Sequence, residues 1–123
     1  MNYPVSSDKI FLCGPLKGFD GYNVTAFNMF AKHLRTQKFN VVNPVEISND
    51  IKNNLWELHV QEHLRELLSC TCLVLMPGWK QSRSARLELM IATTLEYDIY
   101  LINTDFSLKA FEGNGSYAFD IES

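Results

Sequence analysis

One carboxylate on a small, apolar helix face needs explaining before anything else in this chain. Glu88 falls on the same stripe as Ala85, Ala92 and Leu95, and a charge buried there without a partner is costly. Two readings fit. In the first, Glu88 lies near the start of its helix, where the macrodipole favours a negative charge, or it pairs with Arg83 or Arg86. A capping box does not account for it, because Ser84 as N-cap puts Leu87, not Glu88, at the reciprocal position. In the second, Glu88 is a nucleophile or acid–base group at the mouth of a site.

Two loops are candidates to surround it. Gly78-Trp79-Lys80-Gln81-Ser82-Arg83-Ser84 follows an apolar run and opens the helix that carries Glu88. Backbone N–H groups, two hydroxyls and two cationic side chains converge there, as a phosphate or carboxylate site requires. The plainer alternative is an N-cap beside a solvated loop. Trp79 either stacks on a base or lids the sheet edge. Gly14-Pro15-Leu16-Lys17-Gly18 closes the first apolar run; glycines there permit close backbone approach to a ligand, or serve a tight turn. Neither loop has P-loop or GxGxxG spacing, and no cofactor is expected.

His59-Val60-Gln61-Glu62-His63 matches an HxxEH metalloprotease pattern. We read it as a chance match, since a zinc site also needs a third ligand and a cleft. On a helical wheel Val60, Leu64 and Leu67 form the core stripe, with His63 half-buried at its edge beside Trp56. His33 is expected on the surface of its helix. No metal site is expected.

These residues must be positioned by alternating strands and helices. Lys9 to Cys13 reads as a buried strand. Phe27, Phe30, Ala31 and Leu34 recur at helical spacing, with Asn23 or Thr25 as N-cap. Phe39 to Val42 is a second strand, and residues 46 to 54 a polar loop. A helix starts near Leu55. Thr71 to Met76 is a continuous apolar run, as expected of a strand covered on both faces. A helix from about Ser84 to Glu96 and a strand from Ile99 to Ile102 follow. Residues 1 to 7 read as a loose leader, and the tail from Asn103, with Gly113-Asn114-Gly115, is left unassigned. This alternation predicts parallel βαβ units with right-handed crossovers. The expected architecture is α/β: a flavodoxin-like or Rossmann-like three-layer sandwich with a central parallel sheet of four to five strands in the order 2-1-3-4. Ligands bind such sheets where the strand order reverses, here between the first and third strands.

With 123 residues, a single domain over residues 1–123 is expected. The chain is 46% hydrophobic and 20% charged, which argues for a globular protein and against disorder. A net charge of −3 argues against a nucleic-acid polymer as partner and leaves a small nucleotide open. The three cysteines, Cys13, Cys70 and Cys72, form no CxxC pair and read as buried reduced thiols. With no signal peptide and no membrane span, a cytoplasmic protein is expected.

The segments Cys-Gly-Pro-Leu-Lys-Gly (13–18), Tyr22-Asn23, Phe27-Asn28, Val42-Asn43-Pro44, Leu75-Met76-Pro77-Gly78-Trp79 and Ser82-Arg83-Ser84-Ala85-Arg86-Leu87-Glu88 resemble a small group of bacterial and phage proteins. That group is similar to the nucleoside 2-deoxyribosyltransferases and the 2′-deoxynucleoside 5′-phosphate N-hydrolases. The resemblance covers most of residues 9 to 102. It implies that Glu88 attacks the anomeric carbon of a deoxyribose, releasing the base, and that another base or water then takes the sugar. It implies Ser82 near a 5′-phosphate, and a homodimer or higher homo-oligomer in which residues of a neighbour complete each site; the Gly-Asn-Gly-Ser-Tyr tail is a candidate for that purpose. A phage-encoded copy would work in the host cytoplasm. The chain departs from those enzymes at three points. His63 stands where they carry an aspartate, Thr71 stands where a second aspartate opens the third strand, and Arg86 or Leu89 replaces the glycine flanking the glutamate. Either His63 acts in the aspartate's place, or the substrate differs, or catalysis has been lost. The candidate catalytic residues are therefore Glu88 and His63. The candidate substrate-binding residues are Gly14, Pro15, Lys17, Gly18, Tyr22, Gly78, Trp79, Ser82, Arg83 and Ser84. The alternative function is a protein that sequesters a nucleotide without turning it over.

Overall fold

The computed structural model describes residues 4–15, 23–47 and 56–111, with backbone alone for 56–59. In chain order the elements are β1 (Lys9–Cys13), α1 (Val24–Thr36), β2 (Asn40–Val42), α2 (Pro44–Ile47), α3 (Trp56–Leu68), β3 (Cys72–Leu75), α4 (Arg83–Thr94), β4 (Asp98–Ile102) and β5 (Leu108–Ala110). The strands form one sheet in the order β2-β1-β3-β4-β5. The first four are parallel and β5 is antiparallel to β4. The expected strand order and the α/β class are both observed, with a mostly parallel rather than wholly parallel sheet.

Successive residues of a strand face opposite ways, and both faces of β1 and β3 are covered. Ile10 and Leu12 pack with Cys72 and Val74 against Phe27, Phe30, Ala31 and Leu34 of α1. Phe11 and Cys13 pack with Leu73 and Leu75 against Leu67 of α3 and Ala85, Leu89 and Ala92 of α4. The sheet is thus the middle of three layers. The chain leaves β1 for a neighbour on one side and later returns to the other side, so crossovers of one hand put α1 and α4 on opposite faces.

Several boundaries differ from the expectation, each for a local reason. The helix expected from Ser84 begins at Arg83, and its N-cap is Ser82, whose extended backbone lets Oγ accept from the Ala85 N–H at 3.1 Å. A short 3₁₀ turn over Trp79–Gln81 fills the space between β3 and that cap. Asn23 stands at the N-cap position of α1 but does not cap it. Its backbone is left-handed (φ 60°), and its Nδ2 donates to the Pro15 carbonyl at 2.8 Å. The polar stretch after β2 opens with the single turn α2, and residues 48–55 lie outside the described residues. Part of the unassigned tail forms β5; Gly113-Asn114-Gly115 lies outside the described residues. His33 is half-buried rather than on the surface, stacked on Phe106 at 4.5 Å. All three cysteines are buried and unbridged. Among the described residues no helix is long and apolar enough to cross a membrane.

Candidate functional site

The site is built where β1 ends. Cys13 is the last residue of β1 and points to the α4 side because it alternates with Leu12. Ala85, Leu89 and Ala92 line the face of α4 turned to the sheet. The small side chains of Ala85 and Ala92 let the helix lie close, and the Ala85 carbonyl comes within 3.5 Å of Cys13 Sγ. Glu88 is on this same inward face, only 4% exposed. It lies in the second turn of α4, so the first-turn helix-dipole account does not describe it. Its Oε1 accepts from Cys13 Sγ at 3.3 Å. From α3, His63 turns inward beside Leu67; it is 4% exposed rather than half-buried, and its Nδ1 is 3.9 Å from Glu88 Oε2.

The electrostatics follow from burial. Desolvation penalises the charged carboxylate, and burial pushes the Glu88 carboxyl up to about 8, with the Cys13 hydrogen bond opposing it. At 3.9 Å the imidazole is beyond hydrogen-bond reach, so burial wins over any pairing. Such a carboxyl holds its proton near pH 7. It acts as a general acid in that form, and as a nucleophile or as a counter-charge for a developing cation once ionised.

The two loops flanking Glu88 do meet. Pro15 follows Gly14 at the end of β1, and a side chain placed on Gly78 would come within 3.2 Å of Pro15 Cγ. Gly78 has a left-handed backbone (φ 88°), which glycine adopts freely. Gly14 is glycine for want of space: an added Cβ would lie 2.9 Å from Met76 Cβ and 3.0 Å from its sulfur. Gly14→Ala is therefore expected to lower stability by about 1–3 kcal/mol in a urea titration. Met76→Ala in the same chain should recover only part of the loss, because the nearer Cβ stays. Full stability of the single variant would contradict the crowding.

Trp79 is buried, 5% exposed, and packs edge-to-face on Phe111 at 5.7 Å; the Lys80 ammonium lies 5.9 Å from its ring centroid. Ser82 is nearly buried and holds the α4 cap, with Ser84 Oγ 3.3 Å from its own Oγ. Arg83 is exposed and Ser84 half-buried. The Arg86 guanidinium donates to the Lys80 carbonyl at 3.1 Å, fastening the loop to the helix. Lys17, Gly18 and Tyr22 lie outside the described residues. Thr71 is engaged at the far end of the sheet, where its hydroxyl accepts from the Lys9 N–H and donates to Asp8. Asn43 Nδ2 donates to Asn28 Oδ1 at 2.9 Å, so those two motif residues join the turn after β2 to α1. The residue that sequence reasoning missed is Cys13. The available signal was its place, one residue before Gly14-Pro15 on the strand face opposite α1.

A family model described as "Domain of unknown function (DUF4406)" matches residues 8–101. The chain belongs to this family. The DUF4406 segment runs from just before β1 into β4 and so contains Cys13, His63 and Glu88, while β5 lies beyond it. No curated protein matches the chain. Among the described residues of this DUF4406 protein, no group of three His, Cys, Asp or Glu is arranged to hold a metal ion.

Proposed function

We propose that this protein cleaves or transfers the N-glycosidic bond of deoxynucleosides or their 5′-monophosphates, with Glu88 as the nucleophile. One observation carries the reading: a carboxyl 4% exposed sits on α4 beside the carboxyl end of β1, with an imidazole facing it. The sequence resemblance to nucleoside 2-deoxyribosyltransferase-like enzymes supports the same residue. In this scheme Glu88 first gives up its proton, and His63 Nδ1 is the basic group turned toward Oε2. The carboxylate then attacks C1′, the C1′–N bond breaks, and its electron pair leaves with the base, which is protonated in turn. Water or a second base releases the sugar from Glu88. A buried carboxylate suits this chemistry, because it is poorly stabilised until positive charge develops next to it, and in a low-dielectric site that attraction is strong. We further propose a homo-oligomer, in keeping with the resemblance.

A second reading is favoured by the state of Glu88 near neutral pH. A carboxyl pushed up to about 8 is mainly uncharged there, as suits a pocket that holds a nucleotide without turning it over. The deciding experiment offers purified protein a panel of deoxynucleosides and their 5′-monophosphates, with and without an acceptor base, and measures free base by chromatography. Release that disappears in Glu88→Ala supports the enzyme. No release from any substrate, with a thermal shift by one of them, supports the binding protein. Release that persists in Glu88→Ala overturns the assignment of the nucleophile.

A further inference from the structure

We infer that Cys13 is a positioning residue for Glu88, its thiol orienting the carboxyl and stabilising its ionised form when it arises, through a hydrogen bond from Sγ to Oε1. This inference rests on the reading of Glu88 as nucleophile. Its geometry is specific. Cys13 Sγ is 3.3 Å from Glu88 Oε1 and 3.5 Å from the Ala85 carbonyl oxygen, one turn earlier on the same helix. The thiol has one proton and two acceptors. While Glu88 is neutral the proton can serve the backbone carbonyl; when Glu88 ionises, rotation about Cβ–Sγ delivers it to Oε1.

The surroundings fit that task. Cys13 is wholly inaccessible, and burial, with the Glu88 charge next to it, pushes the thiol well above its ordinary value, so the sulfur keeps its proton and remains a donor. A thiol is a weak donor. It steadies a carboxylate without quenching it, and its bulk suits the apolar neighbours Phe11 and Leu89. Cys13 from β1 and His63 from α3 are titratable groups set against Glu88, and substitutions at position 13 leave the second of these in place.

The test compares the parent with Cys13→Ala and Cys13→Ser. The Glu88 carboxyl is titrated by carbon-13 NMR of glutamate-labelled protein, assigned with Glu88→Gln, and the pH dependence of base release is measured alongside. Losing one such hydrogen bond is expected to raise the Glu88 midpoint by about half to one pH unit in Cys13→Ala, with the acid limb of kcat/KM moving equally and KM little changed. Cys13→Ser, nearly isosteric and again a donor, should return the midpoint to the parent value or below; it also serves if the alanine variant folds poorly. Midpoints unchanged in both variants would overturn the inference and leave Cys13 as core packing. A midpoint that moves in a protein releasing no base would keep the thiol–carboxyl coupling and overturn the glycosidic reading instead.

Discussion

Glu88→Gln should make the protein more stable than its parent above pH 8, and the advantage should vanish below pH 5. In the unfolded chain Glu88 ionises near its ordinary 4.5; in the fold it does so only at about 8. Between those values the native state keeps a proton that the unfolded state has released. Stability is therefore full below the lower value and falls as pH rises through the higher one. The displacement corresponds to roughly a few kcal/mol at alkaline pH, a large share of the 5–15 kcal/mol typical of a domain. Glutamine has nearly the same shape and no charge to bury, so the variant lacks this loss. Urea unfolding of both proteins at intervals from pH 5 to 9 isolates the effect, since the acidic groups outside this pair are common to the two. Curves that stay parallel across the range would mean that Glu88 is not held neutral by its surroundings.

Trp79→Ala is expected to lose about 3–5 kcal/mol of stability, as large aromatic truncations in a core do. Its type and its place beside the Glu88 helix suggest an aromatic that stacks on a nucleobase. Its surroundings suggest otherwise. The indole packs within the cluster of Phe11, Leu73, Leu75 and Leu89, edge-on to Phe111. A loss of that size leaves the fold marginal, and any fall in ligand binding should then track the fraction unfolded. Trp79→Phe, which keeps most of the packing, should bind as the parent does. An alanine variant with an unchanged unfolding midpoint and abolished nucleotide binding would instead make the indole a ligand contact.

Much of the fold was legible because the pattern is local. The stripe Phe27, Phe30, Ala31, Leu34 is buried throughout, and the apolar runs at β1 and β3 are central strands. β5 was not legible. It is three residues, Leu108-Lys109-Ala110, with no β-branched side chain, and it is a strand only because Tyr100 to Ile102 offer it a partner. Ser82 and Ser84 are equally good caps by type; the 3₁₀ turn at Trp79 decides between them.

At the site the division is similar. Glu88 stood out because a carboxylate interrupted a face of small residues. His63 was singled out by resemblance, while the wheel put it at the edge of its stripe. Its burial depends on how α3 leans on α4, and no helical period contains that information. Cys13 meets Glu88 across a sequence separation of 75 residues. Cys13 looks ordinary alone, and the pair exists only once α4 has settled over β1.

Among the described residues the two margins of the sheet are its shortest strands. β2 and β5 have three residues each, and Asn40 and Lys109 within them are exposed. A strand that short presents only about 10 Å of backbone for another chain to pair with, and an exposed lysine discourages such pairing further. The apolar strands β1 and β3, the better templates for a fibril, are flanked on both sides by neighbouring strands. Ordered aggregation of this protein therefore has to wait for the interior of the sheet to open, so its shelf life in solution should follow its unfolding rate more closely than its concentration.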